Sequence, residues 1–294
     1  MGMQINTNVL ANNSYRHLNT TQNEVSKSME KLSSGLRINR AADDAAGLAI
    51  SEGLKSQVNG SAVAARNAQD GISLIQTTEG ALTEVHSILQ RMRDLAVQGA
   101  SDTTQGSART AITAEGKSLG AELDRLTKST NFNGINLLQG GADLNIQVGT
   151  GGIAAKDVIV VKLGDVASAV NGVDAPAPAA PDLTDDLSGA TANAGFNMTD
   201  ASTARTTITR IDAAITAISG QRAGLGATQN RLEHATKTLQ VSGENLSAAA
   251  SRITDTDMAQ EMVKFTKANI MAQAGTAMLA QANQSGQGVL SLLR

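Results

Sequence analysis

Cysteine and tryptophan are absent from this chain, tyrosine occurs once, at Tyr15, and phenylalanine only at Phe132, Phe196 and Phe265. Without cysteine there is no disulfide framework and no thiol chemistry; that absence decides nothing about an address inside or outside the cell. Compact cores draw much of their stability from large aromatic rings. A chain this poor in rings and rich in Ala, Ser, Thr, Asn and Gln is expected to build extended helix-on-helix layers. The formal charge of -3 gives no basic footprint for nucleic acid, and there are almost no rings for bases to stack on. No apolar run reaches the roughly 18 residues that a membrane span needs. The N-terminal stretch MGMQINTNVLANNSYRHLN has neither the apolar core nor the small-residue cleavage site of a secretory signal. Export, if it occurs, then uses a route without a cleaved signal.

Catalytic constellations are scarce as well. His17, His86 and His234 lie far apart, outside any metal-binding spacing. Gly116-Lys117-Ser118 resembles the end of a phosphate loop, but the residue five before Gly116 is Ala111 and the segment keeps a helical period. Gly220, Gly224 and Gly226 fall inside a heptad run, where close helix packing or a local bend explains them better than a dinucleotide turn. Asp43 and Asp44 point apart if they start a helix, which suits capping rather than paired acid-base work. The expectation is a protein that is no enzyme and uses no cofactor or metal.

What the chain does have is periodicity. Ile211, Ile218, Leu225, Leu232, Leu239, Leu246 and Ile253 follow at seven-residue intervals with no proline between them. A strict heptad predicts a helix lying along a partner with left-handed winding. The companion positions Ala214, Gln221, Thr228, Ala235, Ser242, Ala249 and Thr256 are small or polar, so the seam is narrow and needs a partner. The phase changes after Ile253, and Met258, Met262 and Phe265, then Ile270, Met271, Ala274, Met278 and Leu279, set up a new face. These methionines form either an adaptable binding surface or core filling, and in an interface between identical subunits they are both.

The N-terminal half offers the partner. Leu18, Val25 and Leu32 are seven apart within a helix expected from Leu10 to Leu36, capped by Thr7 or Asn8 and stopped at Ser33-Ser34-Gly35. Asp43 or Asp44 opens a second segment with Leu48, Leu54 and Val58 on its apolar face, and a separate long helix carries Ala68, Ile75, Leu82, Leu89 and Ala96. Ile112, Leu119, Leu123 and Leu126 mark a further amphipathic helix. Asn131-Phe132-Asn133-Gly134 is turn chemistry. Leu144, Ile146 and Val148, then Val158 to Leu163, read as the strands of a small β-hairpin region. All three prolines (Pro176, Pro178, Pro181) lie in the stretch 166–199, which is acidic and expected to be a solvated, irregular excursion. The fold expected is mainly α: a long antiparallel helical hairpin or coiled-coil rod with a small β-hairpin region, its termini paired at one end. Each terminal segment keeps a one-sided stripe that a single partner covers only in part, which points to self-assembly.

The sequence resembles bacterial flagellin at both ends, over roughly 1–165 and 200–294. The resemblance is carried by Gln4-Ile5-Asn6-Thr7-Asn8, Leu32-Ser33-Ser34-Gly35-Leu36-Arg37-Ile38-Asn39, Asp43-Asp44-Ala45-Ala46-Gly47 and Gln90-Arg91-Met92-Arg93-Asp94-Leu95-Ala96-Val97-Gln98. It continues in Asn131-Phe132-Asn133-Gly134, Ser251-Arg252-Ile253, Gln273-Ala274-Gly275, Leu279-Ala280-Gln281-Ala282-Asn283-Gln284 and Val289-Leu290-Ser291-Leu292-Leu293. It implies a structural subunit of the flagellar filament used for swimming, secreted by type III export. Its inner-tube helices would be 1–43 with 254–294, its outer tube 44–165 with 200–253, and 166–199 a short surface excursion in a minimal form of the family. The seam and assembly residues implied are Leu18, Val25, Leu32, Leu225, Leu232, Leu239, Leu246, Ile253, Met262, Phe265, Met278, Leu279, Leu290 and Leu293. Partners implied are further copies of the chain, the export apparatus and its chaperone, and the filament cap and junction proteins. In flagellins detected by vertebrate Toll-like receptor 5, three contact residues would correspond to Arg91, Leu95 and Glu115. The alternative within the resemblance is a hook–filament junction protein, which shares flagellin-like ends. Asn283-Gln284-Ser285 lacks a proline that many relatives carry, and Arg294 extends past the double leucine on which many end.

Overall fold

The computed structural model describes residues 8–166, 196, 198 and 200–292, of which 285–292 by backbone alone. In chain order the elements are α1 (Val9–Ser34), α2 (Ala45–Gly99), α3 (Ser107–Ser129), β1 (Asn131–Phe132), β2 (Ile135–Asn136), β3 (Leu144–Gln147), α4 (Ala154–Asp157), β4 (Val158–Val161), α5 (Ala201–Thr254) and α6 (Met258–Leu292). They group into two compact units, Gly60–Ser242 and Met1–Asn59 with Gly243–Arg294.

In the unit Gly60–Ser242 the heptad positions of α2 form the core: Ala68, Ile75, Leu82, Leu89 and Ala96 are all buried, with Val85 and Met92 between them. Ile211, Ile218, Leu225 and Leu232 of α5 are buried against the same cluster. The two helices run antiparallel, because Arg93 pairs with Asp212 at 2.6 Å and Glu79 with Arg222 at 3.4 Å. α3 adds Ile112 and Leu123 to the core.

The β region consists of two small antiparallel pairs. β1 and β2 are joined by Asn133 (φ 50°) and Gly134 (φ 80°), both left-handed as a two-residue hairpin turn requires. β3 and β4 pair Leu144 with Val161 and Ile146 with Ile159. Ile146 lies against Gly71 of α2, and the Asn67 side-chain amide donates to the Gln147 carbonyl at 3.2 Å.

Three expectations from the sequence are corrected. The segment after Asp44 and the long helix that follows are one helix: Asn59-Gly60 continues α2 without a break. A helical glycine costs only about 1 kcal/mol relative to alanine, which burial of Ser61, Ala64 and Ala68 just beyond it outweighs. The turn chemistry at Asn131–Gly134 belongs to a hairpin of its own, so there are two β pairs rather than one, and β4 ends at Val161 instead of Leu163. The stretch 166–199 is not solvated to its end: Phe196 and Met198 are buried, the ring of Phe196 over Gly116 and Met198 beside Gly99. Its proline-containing part lies outside the described residues.

In the other unit α1 and α6 pack together, running antiparallel from Asn8 at Ala282, through Leu18 at Gly275, to Ser28 at Glu261. Asn8 caps α1, its Oδ1 accepting from the Ala11 N–H at 3.0 Å. Gly35 ends the helix in the left-handed conformation, φ 73°, with its N–H donating to the Lys31 carbonyl. Asp44 caps α2 through the Gly47 N–H, while Asp43 accepts from the N–H groups of Asn39 and Arg40. Those two backbone donors hold the Asp43 carboxyl below its ordinary range. The two acids thus act on different turns.

Candidate functional site

Among the described residues no group of three or more His, Cys, Asp or Glu side chains that could hold a metal ion comes together, and no described helix is long and apolar enough to cross a membrane. Gly116 lies inside α3 beneath Phe196, so it is not open to a phosphate. Gly220, Gly224 and Gly226 lie within the continuous α5.

The candidate site is the terminal pair. Where α1 and α5 stop, their ends are tied together. Leu36 and Asp255 form an antiparallel bridge, the Thr256 N–H donates to the Gly35 carbonyl at 2.9 Å, and the Arg37 guanidinium donates to the Ile253 carbonyl at 2.8 Å. Ile38 is buried beside Gly47 at this junction. The change of heptad phase read after Ile253 is therefore a physical break between helices.

Beyond the junction the seam between α1 and α6 is made of small and polar groups. The buried side chains of α1 are Thr21 and Ser28, and those of α6 are Glu261 and Ala268. Leu18, Val25 and Leu32 flank this line half-buried, as do Phe265 and Leu279 from the other side. On α5, Leu225 and Leu232 are buried, whereas Leu239, Leu246 and Ile253 are half-buried. Met262 and Met278 face outward, Leu290 is described by backbone alone, and Leu293 lies outside the described residues. Glu261 and Gly275 are contributors that a search for apolar heptads passes over. Their signal was the seven-residue step linking Glu261, Ala268, Gly275 and Ala282, matched by Thr21 and Ser28.

The outer surfaces of the pair are unusually apolar. Val9, Leu10, Tyr15 and Met29 on α1 are exposed, and so are Met258, Met262, Val263, Ile270, Met271 and Met278 on α6. Met262, Val263, Thr266, Lys267, Ile270 and Met271 line one shallow groove. Contiguous apolar surface of this kind marks an interaction face.

In the other unit, Arg91 of α2 and Glu115 of α3 are exposed and paired, with the guanidinium donating to one carboxylate oxygen at 2.6 and 2.9 Å. Leu95, one turn on from Arg91, is 3% exposed and belongs to the core. The structure brings Arg91 and Glu115 together at the surface and places Leu95 beneath it.

Residues 5–143 match the family described as the bacterial flagellin N-terminal helical region, and residues 208–293 match the corresponding C-terminal helical region. The chain is 48% identical to a flagellin of Halalkalibacterium halodurans, over 99% of this chain and 100% of that protein. It is 46% identical to a flagellin of Bacillus subtilis and 45% identical to the flagellar filament 33 kDa core protein of Treponema phagedenis, with the same coverage of both chains in each case. A crystal structure of Bacillus cereus flagellin shares 32% identity at a TM-score of 0.47, covering 63% of this chain and 94% of that one.

Proposed function

The chain belongs to the bacterial flagellin family, and from that premise we propose how it works as a structural subunit of the flagellar filament. The observation that carries the mechanism is the apolar outer surface of the terminal pair, which α1 and α6 leave uncovered although their shared seam is closed. Head-to-tail contacts between identical subunits generate a helical polymer when their rotation does not close into a ring. Burying Met262, Val263, Ile270 and Met271 against further copies supplies its driving force. Residues 1–43 and 254–294 form the inner layer, and 44–165 with 200–253 the surrounding one. In the free subunit the terminal helices order only as neighbours arrive, since their exposed faces then first offset the entropy of ordering.

The same reading sets the route and the partners. The chain is held by its chaperone inside the cell, leaves through the flagellar type III apparatus, and meets the cap and junction proteins outside. A vertebrate Toll-like receptor 5 that detects it would meet the exposed Arg91–Glu115 pair, with Leu95 shaping that patch from below. The role as a hook–filament junction protein has no supporting observation of its own, and the named relatives are flagellins and a filament core protein.

Removing residues 280–294 tests the proposal. Polymerisation, read as pelletable material after seeding, is lost while the helicity of 44–253 persists. Normal filaments from the truncated chain would contradict it.

A further inference from the structure

Among the described residues Glu261 is the only charged side chain that is buried, at 6% exposed. Both of its carboxylate oxygens are engaged: Oε1 accepts from the Ser28 hydroxyl of α1 at 2.7 Å, and Oε2 from Lys264 Nζ at 3.1 Å. Ser28 stands apart from the other hydroxyls of its helix. Thr20, Thr21 and Ser26 each donate to a carbonyl of their own helix four residues back, whereas Ser28 donates across to α6. The other groups on this line give little directional information, because Thr21 on α1 and the seven-spaced Ala268, Gly275 and Ala282 on α6 are all small. These small groups do not themselves tell one heptad from the next, although the bridge between Leu36 and Asp255 holds one end of the pair. A single buried polar contact in an otherwise uniform seam is the device by which paired helices fix their alignment.

We propose that the Ser28–Glu261 pair sets the register in which the two terminal helices join. This rests on the filament reading for its timing, since the register is chosen as the termini order during assembly. Sliding α6 one heptad along α1 in one direction puts Ala268 at Ser28 and leaves the buried hydroxyl without its acceptor. Sliding it the other way puts Glu261 at Thr21, whose hydroxyl is already committed to the His17 carbonyl at 2.9 Å. Leu18 reinforces the choice. Its Cδ1 lies 3.3 Å from where a Cβ on Gly275 would stand, so the alanines one heptad either side, Ala268 and Ala282, would crowd it.

The natural absence of cysteine makes the register directly readable. A Cβ built on Gly275 stands 3.8 Å from the Leu18 Cβ, within the roughly 3.5–4.5 Å that a disulfide needs. Full-length Leu18→Cys/Gly275→Cys reports the native register, while Leu18→Cys/Ala268→Cys and Leu18→Cys/Ala282→Cys report the two slipped ones. Each chain is oxidised during polymerisation, and the intramolecular cross-link is scored on a non-reducing gel. With Glu261 intact the 18–275 link dominates. Glu261→Ala lowers the ratio of native to slipped link by on the order of tenfold or more, the effect of losing a hydrogen bond to a buried charged group. Glu261→Gln keeps an acceptor for Ser28 and keeps the native link. If Glu261→Ala gives no link at all, the exchange Ser28→Glu/Glu261→Ser decides. It retains one acid, one hydroxyl and a lysine three residues after the acid on either helix, so it restores the 18–275 link. The parent ratio in Glu261→Ala, or an exchange that behaves like Glu261→Ala, overturns the proposal. Pelletable polymer is scored separately: a native link without polymer counts against the filament reading, and polymer with slipped links counts against the register.

Discussion

The backbone N–H of Arg37 donates to the carbonyl of Thr254 at 2.6 Å, which ties the point where the first helix has ended to the point where the fifth ends. This contact holds two breaks together, and the terminal pair begins from it. Gly35 makes the first break possible. No neighbouring atom lies within 4 Å of a Cβ placed there, so a substitution acts through its left-handed φ alone. Gly35→Ala is expected to destabilise the terminal pair by about 1–2 kcal/mol, and Gly35→Asn by less, because asparagine tolerates that conformation. Thermal disassembly of filaments, followed by light scattering, should rank wild type above Gly35→Asn above Gly35→Ala. Equal midpoints would show that the turn is not a constraint.

The α5 heptad should divide by burial. Leu232 is fully buried and Leu239 is half-buried. Leu232→Ala should cost about 2–5 kcal/mol and Leu239→Ala clearly less, both measured by urea unfolding of the monomer. A Leu232→Ala chain with the wild-type curve would remove α5 from the core.

Phe196 anchors the end of the acidic stretch onto α3. Phe196→Ala should destabilise the monomer by about 3–5 kcal/mol. Gly116→Ala should also destabilise it, because the new methyl enters the space of the ring. If Gly116→Ala is harmless in wild type, the ring does not sit there.

Glu261 is expected to give the filament an acid response. Burial pushes its carboxyl up, but the Ser28 hydroxyl and Lys264, with Lys31 acting at a distance, outweigh that and hold it below its usual 4.5. A carboxyl lowered in the folded state contributes stability above its unfolded value and loses it as pH falls through the folded one. Filaments should therefore loosen on acidification below about pH 4.5, and those of Glu261→Gln should show a shallower loss over the same range. Identical acid profiles would assign the response to other carboxylates.

Arg91→Ala monomer is expected to activate Toll-like receptor 5 less than wild type in a reporter assay, with folding checked by circular dichroism. Undiminished activation by the folded variant would remove the Arg91–Glu115 pair from that contact.

Much of this fold was legible because burial followed a seven-residue step. Ile211, Ile218, Leu225 and Leu232, like Ala68 to Ala96, are apolar where the core is. Local chemistry also narrowed the caps to Thr7 or Asn8 and to Asp43 or Asp44, of which Asn8 and Asp44 cap, and marked the stop at Gly35. The sequence misled where tertiary packing overrode local preference: Asn59-Gly60 stays helical, and Phe196 is drawn out of a polar stretch into the core. The terminal seam was the least legible part. Its buried line is hydroxyl, carboxylate and alanine, while its leucines and methionines sit at the flanks or face out. Hydropathy therefore marked the surface that other copies would cover and passed over the contact inside the pair.

The most direct test of the central claim is negative-stain electron microscopy of the purified full-length chain after seeding or salting out at neutral pH. Long, uniform tubes with a central channel are the expected result. Only rings or small oligomers, with seeds present, would contradict the account of this chain as a self-assembling filament subunit.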